Sequence, residues 1–258
     1  MEKISATIIA FNEEKRIAAC LESLHGIADE IIVVDSMSTD RTVEIAREHG
    51  AKVTHRRFDG FGAQRQYATS LTTHRYVLSI DADEVLSPAL RQALLRLKEE
   101  GFAHRVYSLS RLNFYCGYPV RHCGWYPDPH IRLFDKRYAN WNLRDVGEKV
   151  VFRDNVTPSA VDGDILHYRC DTPEQFEAVV RRHAAIKGAL IASRGEESVS
   201  PLTPLAKALG AFCRSYLMQG GILEGQAGRD ISAQAFRSEF LAYSEARRRL
   251  RLEKTNNS

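Results

Sequence analysis

Four short apolar segments, each followed by a helical pattern, constrain most strongly what this chain can fold into. These segments are rich in β-branched residues and lie at 4–11, 30–34, 51–54 and 76–80. Apolar residues recur at helical spacing between them, and Pro88 directly after Ser87 is typical of the first turn of a further helix. Apolar strands separated by helices predict a parallel sheet covered on both faces, and therefore an α/β fold.

The rest of the chain changes character twice. Residues 102–168 are rich in aromatic residues, glycine and proline. Short strands are predicted in this part at 105–112, 131–134, 150–153 and 164–168. The pattern is then helical, with helices predicted at 172–193, 204–218 and 232–252 and a loop at 196–201. We therefore expect a first domain spanning 1–170 and a C-terminal helical extension spanning 171–258.

Composition excludes several classes of protein. The chain has 258 residues, of which 44% are hydrophobic and 27% are charged, as in ordinary globular proteins. It has neither a signal-peptide pattern nor a run of about 18 apolar residues, so a cytoplasmic location is expected. The net charge of +3 is too small to indicate a nucleic-acid partner. The five cysteines form no repeated metal-binding spacing, and we expect them to be reduced thiols.

Polar side chains stand where three of the predicted strands end. Asn12 and Glu13 follow the first strand, Asp35 ends the second, and Asp81 and Asp83 follow the fourth. Ligands of an open parallel sheet bind at the carboxyl ends of its strands. Residues i and i+2 of an extended segment face one side, and two carboxylates in a small volume favour a bound cation. The spacing therefore predicts Mg²⁺ or Mn²⁺ bridging to a diphosphate.

Four segments occur in order along the chain: SATIIAFNEE at 5–14, EIIVVDSMSTD at 30–40, FGAQRQ at 61–66 and LSIDADE at 78–84. Together they resemble the nucleotide-sugar half of the family 2 glycosyltransferases, whose fold is called GT-A. The segment YPDPHIRLFD at 126–135 and the helical region around 212–228 resemble the subgroup of bacterial lipopolysaccharide-core β-glucosyltransferases. The resemblance implies a GT-A, Rossmann-like, mostly parallel sheet flanked by helices.

The resemblance also implies an activity. We expect an inverting glycosyltransferase that moves a hexose from a UDP-sugar to a hydroxyl of a lipopolysaccharide-core or other lipid-linked glycan acceptor. Glucose is the expected sugar, with heptose, galactose and an N-acetylhexosamine as alternatives. The expected cofactor is a divalent cation, Mg²⁺ or Mn²⁺, which would neutralise the leaving UDP as a Lewis acid.

The implied donor site divides into nucleotide-binding residues and metal ligands. The expected nucleotide-binding residues are Phe11, Glu13, Asp35, Gln64, Arg65 and Asp81. Asp35 is expected to accept a hydrogen bond from the uracil ring, and Arg65 to pair with a phosphate or to order the acids. Asp83 and His167 are the expected metal ligands. A solvent-exposed helix face for Arg65 and a purely structural role for His167 are the alternatives.

An inverting transfer needs a carboxylate base for the acceptor hydroxyl. Glu148 and Asp128 are both candidates, and Glu148 is favoured because its segment at 145–149 resembles a Val-His-Glu segment of the subgroup. Gly147 stands in the place of that histidine. The alternative for both acids is a structural ion pair with a nearby arginine.

The expected acceptor-binding residues are Trp125, Tyr126 and Arg132. Aromatic planes can stack on the C–H faces of sugars, and Trp141 could also do so. Aromatic residues in such a loop can equally fill a small core. The helix at 204–218 has an apolar stripe, and arginines and a lysine crowd 247–254. This arrangement favours peripheral contact with the cytoplasmic face of the inner membrane, with a core-facing helix and a solvated tail as the alternative.

Two other functions fit part of the sequence. The segment DADEV at 81–85 also fits the motif of haloacid-dehalogenase-type phosphatases, in which Asp81 would be the nucleophile and Asp83 the acid/base. That motif usually lies on the first strand, whereas three strand–helix units precede it here. The third possibility is a non-catalytic module that binds a nucleotide or a lipid.

Overall fold

The alternation of strands and helices runs through the first hundred residues as the sequence predicts. The structure is a computed structural model that describes residues 2–144, 147–152, 156–193 and 199–256. The first strands are β1 (Ile4–Ala10), β2 (Glu30–Asp35), β3 (Lys52–His55), β4 (Tyr76–Asp81) and β5 (Glu84–Leu86). The helices among them are α1 (Ile17–Leu24), α2 (Thr42–Glu48), α3 (Phe61–Ser70) and α4 (Pro88–Glu100). Only the short strand β5 was not expected in this part.

The later elements follow the predicted change from strands to helices. The strands are β6 (Val106–Tyr115), β7 (Tyr118–Pro119), β8 (Pro129–Asp135), β9 (Ala139–Trp141), β10 (Val150–Phe152) and β11 (Ser159–Cys170). The helices are α5 (Pro173–Ala192), α6 (Thr203–Cys213), a π-helical turn (Arg214–Met218), a 3₁₀ turn (Gly221–Glu224) and α7 (Gly225–Asn256). Residue 153 of a predicted strand and residues 196–198 of the predicted loop lie outside the described residues.

The main sheet has the strand order β3-β2-β1-β4-β8-β6-β11-β5. Strands β3, β2, β1 and β4 pair in parallel, whereas β4 with β8, β8 with β6, and β11 with β5 pair antiparallel. Ala10 lies opposite Asp35, and Ile9 lies opposite Asp81, so the polar ends of three parallel strands share one edge. The expected α/β class, with its flanking helices and helical C-terminal part, is confirmed.

The core explains why these strands are continuously apolar. Tyr76, Leu78 and Ile80 of β4 belong to the large cluster that includes α1, whereas Val77 belongs to a second cluster with Phe134. Successive side chains of a strand point to opposite faces, so β4 is buried on both. A strand buried on both faces has no polar alternation, which is the pattern that the sequence shows.

Helix α4 begins as predicted. Ser87 is its N-cap, and the Ser87 hydroxyl accepts a hydrogen bond from the Leu90 N–H at 3.2 Å. Pro88 occupies the first helical position, where its missing N–H costs nothing. The N-cap oxygen satisfies one of the orphan N–H groups of the first turn, which fixes where the helix starts after the acidic segment.

The chain forms two compact units. The first unit is 1–112 with 128–167, and the second is 113–127 with 168–258. Residues 113–127 thus pack with the C-terminal part although they precede the predicted boundary at 170, which remains a prediction. Within the second unit α7 packs along α5 and α6. None of the described helices has the length and apolar character needed to cross a membrane.

Candidate active site

A cavity of about 240 Å³ opens in the first unit beside the carboxyl ends of β1 and β4. Its walls come from the loops after β1, β2 and β4, from α3 and from the end of β11. The residues that line it are Ile9, Ala10, Phe11, Glu13, Ser36, Phe58, Phe61, Arg65, Asp81, Ala82, Asp83 and His167. Most of the predicted donor-site residues therefore meet at one place.

The loops after β1 and β2 are tied to each other by hydrogen bonds. The Asn12 N–H donates to the Ser38 hydroxyl at 2.9 Å, and the Thr39 N–H donates to the Asn12 side-chain oxygen at 2.9 Å. The Glu13 N–H donates to the Thr42 hydroxyl at 2.8 Å. Asn12 has a φ of 55°, in the left-handed region that asparagine tolerates better than most residues. The cavity residues on either side of Asn12 are therefore held in place.

Asp35 lies beside the cavity and is 1% exposed. Its Oδ2 accepts hydrogen bonds from the Met37 and Ser38 N–H groups at 3.0 Å and lies 3.1 Å from His55 Nδ1. Among the described residues, no group hydrogen-bonds to its buried Oδ1. An unsatisfied buried acceptor next to the cavity-lining Ser36 suits the predicted contact with a base N–H, which stays a prediction.

Gln64 does not line the cavity but supports its wall. It is fully buried, and its Nε2 donates to the Ser36 hydroxyl at 3.0 Å and to the Arg56 carbonyl at 3.1 Å. Gln64 thus joins α3 to the loop after β2 and to the chain after β3. Its predicted role in nucleotide binding would act through Ser36.

Two phenylalanines form an aromatic wall that the sequence analysis missed. The rings of Phe58 and Phe61 meet edge to face at 5.0 Å, and the two residues are 45% and 42% exposed. Phe58 lies in the loop before α3 and carries no periodic pattern, whereas Phe61 is the first residue of α3 and of the FGAQRQ segment, which is the only sequence signal for this wall. Exposed aromatic faces at a cavity are typical of base or sugar binding.

Asp81 lies between two arginines. Arg65 Nη1 is 2.6 Å from Asp81 Oδ1, and Arg132 Nη2 is 3.2 Å from Asp81 Oδ2. Arg132 Nη2 also lies 2.7 Å from Glu84 Oε1, and the Asp81 N–H donates to Glu84 Oε2. Burial alone would raise the pKa of Asp81, but the two guanidinium groups outweigh burial and hold that pKa well below its usual range.

Arg65 brings Glu148 to the same place. Its Nε lies 3.5 Å from Glu148 Oε1, and its guanidinium stacks on the buried Trp141 ring at 4.8 Å. Helix α3 approaches this part closely because Gly62 has no side chain. A Cβ at Gly62 would lie 2.1 Å from the Asn142 carbonyl oxygen. Residues 145 and 146 of the predicted base segment lie outside the described residues.

Asp83 is placed differently from Asp81. Its Oδ2 is 3.3 Å from His167 Nε2, and the pairing of β11 with β5 puts His167 opposite Glu84. Burial raises the pKa of Glu13, and the negative charge of Asp83 raises it further. Arg16 Nη1 lies 3.4 Å from Glu13 Oε2 and partly offsets this repulsion, so the carboxylate of Asp83 is the group that makes this part of the cavity attractive to a cation.

The donor set fits a divalent cation that also binds substrate. Asp83 and His167 supply one carboxylate and one imidazole, and Mg²⁺ or Mn²⁺ commonly takes few protein ligands and completes its shell with phosphate oxygens. Among the residues that the structure describes, no group of three or more His, Cys, Asp or Glu side chains forms a closed metal site. Asp83 and His167 are therefore the described residues that could share a cation with a bound ligand.

Asp128, the second candidate base, is held between an arginine and a histidine. Its Oδ2 lies 2.8 Å from Arg111 Nη2 and its Oδ1 lies 2.8 Å from His130 Nε2. Burial would raise the pKa of Asp128, but His130 and Arg111 outweigh it and keep that pKa well below its usual range. Arg111 Nη1 also lies 3.4 Å from Glu84 Oε1. These contacts make Asp128 a poor proton acceptor and favour Glu148.

The predicted acceptor residues do not share one environment. Trp125 and Tyr126 belong to the second unit, where the Trp125 ring meets Phe176 edge to face at 5.5 Å and Arg121 lies over Tyr126. Trp125 is therefore at least partly a core residue. Arg132 belongs to the first unit, is 3% exposed and binds the two acids described above. Acceptor binding by these residues stays a prediction.

Comparison with known proteins supports the family resemblance that the four sequence segments indicate. Residues 5–154, more than half of the chain, match the family model described as glycosyl transferase family 2. An uncharacterised glycosyltransferase of Rickettsia typhi is 37% identical over 150 residues, which cover 55% of this chain and 49% of that protein. The chain therefore spans about half the length of this relative.

Two further similarities concern proteins with more specific names. The lipopolysaccharide core biosynthesis glycosyltransferase LpsC of Rhizobium meliloti is 30% identical over 177 residues, covering 64% of this chain and 63% of that protein. Among solved structures, glucosyl-3-phosphoglycerate synthase from Mycobacterium tuberculosis has a TM-score of 0.36 and 28% identity over 44% of each chain. A likeness of that extent gives no residue-by-residue correspondence at the cavity.

Proposed function

Because the chain belongs to glycosyl transferase family 2, we propose that it transfers a hexosyl group from a UDP-sugar to a hydroxyl of a lipopolysaccharide-core or other lipid-linked glycan. Glucose is the proposed sugar. Similarity to a lipopolysaccharide core biosynthesis glycosyltransferase supports the acceptor class. We place the enzyme in the cytoplasm, in peripheral contact with the inner membrane.

The observation that carries the proposal is the composition of the cavity in the first unit. Asp83 and Glu13 both line it, and Phe58 and Phe61 form its aromatic wall. A nucleoside diphosphate has the complementary parts, because its base can stack on aromatic rings and its diphosphate needs a cation between itself and carboxylates. Asp35, with its unsatisfied buried oxygen, lies beside the same wall.

Asp83 and His167 would hold the divalent cation. When bound, such a cation supplies positive charge that stabilises the diphosphate leaving group without a proton transfer. Asp81 has a supporting role in this proposal, because Arg65 and Arg132 already neutralise it and fix its position. Arg65 lines the cavity and is placed to orient the two acids that it contacts.

Glu148 is the proposed base. Its carboxylate would accept the proton of the acceptor hydroxyl while the hydroxyl oxygen forms a bond to the anomeric carbon of the sugar. The bond between that carbon and the diphosphate oxygen breaks, and its electron pair goes to the oxygen. UDP leaves, and the configuration at the anomeric carbon is inverted. The proton ends on Glu148, so the transfer needs no further reactant.

The first experiment is a screen of UDP-, GDP- and ADP-sugars for hydrolysis with Mn²⁺, with Mg²⁺ and after chelation. We expect turnover of a UDP-hexose that chelation abolishes. The Asp83→Asn variant should lose about 100-fold or more of this activity, since it removes a charged ligand. The exposed Asp162 on β11 provides a matched control, and Asp162→Asn should leave the rate unchanged. Equal activity of Asp83→Asn and the wild type would contradict the proposal.

A second experiment separates the two candidate bases. Glu148→Gln should lower transfer by about 100-fold or more while UDP with Mn²⁺ still raises the melting temperature, because the base is not needed for donor binding. Asp128→Asn should instead lower the melting temperature, since it removes the charge of the carboxylate nearest to Arg111. Transfer that is lost in Asp128→Asn at unchanged stability, and kept in Glu148→Gln, would reverse the assignment.

The same melting assay tests the phosphatase alternative. Nothing in the structure favours that function, because Asp81 is locked in ion pairs and is poorly placed as a nucleophile. Stabilisation by vanadate without any effect of UDP would nevertheless support it. Stabilisation by UDP with Mn²⁺, and none by vanadate, is the expected outcome.

A further inference from the structure

The second unit carries an exposed apolar surface on and after α6. Between residues 199 and 223, seven large apolar side chains are 46% to 81% exposed. They are Leu202, Leu205, Leu209, Leu217, Met218, Ile222 and Leu223, and we call them the apolar surface. Single exposed leucines are common, but seven within 22 residues are not expected on a surface that faces only water.

The apolar surface is the outward face of an amphipathic helix and its continuation. Pro204 and Ala208 of α6 are buried, whereas Leu202, Leu205 and Leu209 follow helical spacing on the opposite side. The π-helical and 3₁₀ turns that follow extend the exposed apolar side chains beyond the end of α6. The sequence analysis predicted an apolar stripe on this helix, and the structure shows which part of it faces outward.

The charge of this segment has one sign. Lys207 and Arg214 are its only charged residues between 199 and 223, and both are exposed. The first acid after it, Glu224, is 7% exposed and accepts hydrogen bonds from the Arg121 and His122 N–H groups. An outward face with apolar side chains, cations and no acid is complementary to a surface that is apolar inside and anionic outside.

Further cations lie at one end of this face. Val199 packs with Leu250, and the Ser215 and Ser232 hydroxyl groups lie 2.9 Å apart, so α6 runs antiparallel to α7. The end of α7 thus lies beside the start of α6. The arginines on that end are Arg247, Arg248, Arg249 and Arg251. Glu245 pairs with Arg248 at 2.8 Å and with Arg249 at 2.7 Å, whereas Arg247 and Arg251 line the adjoining groove.

We propose that the apolar surface docks on an anionic lipid bilayer. Its leucine, isoleucine and methionine side chains would enter the boundary between headgroups and acyl chains, while Lys207 and Arg214 stay at the level of the lipid phosphates. This inference rests on the membrane contact that is part of the proposed function and names the surface that makes it, but it does not depend on the donor chemistry proposed above. It would bring the enzyme to the membrane in which lipid-linked acceptors reside.

The test uses the full chain and vesicles of phosphatidylcholine with or without phosphatidylglycerol in a flotation assay. We expect binding to the anionic vesicles that weakens as salt rises, since screening reduces the attraction of lysine and arginine. Leu217→Glu combined with Met218→Glu should reduce binding about 10-fold or more, because the native leucine and methionine side chains leave water when the surface docks. Leu190 on α5 is 53% exposed, and Leu190→Glu is the matched control with unchanged binding.

Cys213 provides a reporter within the same face, since it is exposed while Cys20, Cys123 and Cys170 are buried. A polarity-sensitive thiol dye should shift to shorter emission wavelengths when anionic vesicles are added. The shift should be absent in Cys213→Ser, which shows that any labelled Cys116 does not contribute. An unchanged dye spectrum together with no flotation would overturn the proposal.

The main competing occupant is a second copy of this chain. A dimer in solution that Leu217→Glu with Met218→Glu converts to a monomer, without vesicle binding by the wild type, would replace the bilayer by a dimer interface. Hydrolysis of the UDP-sugar in solution is measured on the same variants and should stay at the wild-type rate. A failed membrane test with intact hydrolysis therefore removes the membrane contact and leaves the proposed sugar transfer standing. Membrane binding without hydrolysis would remove the sugar transfer and leave the membrane contact.

Discussion

Two groups of acids lie at the end of β4, and they differ in what surrounds them. Asp81 and Glu84 are enclosed by guanidinium groups, with Arg132 in contact with both. Asp83 lies at the cavity beside His167, and its negative charge raises the pKa of Glu13. Neighbouring carboxylates of one motif can thus have different tasks, one group holding the site together and the other left available to a ligand.

The largest effect on stability is expected when the arginine that contacts both Asp81 and Glu84 is removed. Arg132→Met leaves Glu84, which is fully buried, without its nearest cation. Breaking a buried ion pair from one side costs about 3–5 kcal/mol, so we expect a loss of that order in the free energy of unfolding in urea. Adding Glu84→Gln should recover part of the loss, because it removes the uncompensated charge. Full stability of the single variant would show that the enclosed group is not structural.

Glu30, a buried carboxylate elsewhere in the sheet, allows the stabilising role of an enclosed acid to be measured through the pH dependence of unfolding. Glu30 is buried and accepts hydrogen bonds from the Ser5 hydroxyl, the Thr73 N–H and the Lys52 ammonium group. Burial opposes these donors, but together with the charge of Lys52 they lower the pKa of Glu30 from 4.5 to about 2.

A group whose pKa is lower in the folded state stabilises the protein above its unfolded pKa, and that stability is lost as pH falls. Glu30 should therefore contribute up to about 3 kcal/mol above pH 4.5, which disappears between pH 4.5 and 2. Urea unfolding of the wild type and of Glu30→Gln across this range measures the contribution. Parallel pH profiles of the two proteins would show that Glu30 has no such role.

The smallest change in stability is expected at the cavity acid. Asp83→Asn removes a charge that repels Glu13, so its free energy of unfolding should stay within about 0.5 kcal/mol of the wild type or rise slightly. The same variant is the one expected to lose most activity. A large loss of stability would place Asp83 with Asp81 and Glu84, and the distinction between the two groups would fail.

The sequence predicts local features of this molecule well. The strands β1 to β4 are visible because burial on both faces leaves continuous apolar runs, and the acids after them are adjacent to those runs in sequence. The start of α4 is visible for a similar reason, since Ser87 and Pro88 act on the backbone next to them. The parallel edge that gathers these acids follows from the α/β pattern.

Apart from the option that Arg65 orders the acids, the ion-pair network could not be predicted in this way. Arg65 and Arg132 meet at Asp81 from a helix and from an antiparallel strand, and no periodicity records which side chains such distant segments bring together. For the same reason the contacts of Arg132 with Asp81 and Glu84 were not predicted. The burial of Trp141 beneath Arg65 likewise depends on the close approach of α3 at Gly62, which is a property of the packed structure.

The hydrogen bonds of Asn12 to Ser38 and Thr39 have a consequence for ligand affinity. Two loops that are already fastened to one another lose little conformational freedom when a molecule settles between them and α3, so almost none of the binding free energy is consumed in ordering them. Pieces of a nucleotide should consequently bind in proportion to the contacts that they retain, with uridine and diphosphate each measurable alone.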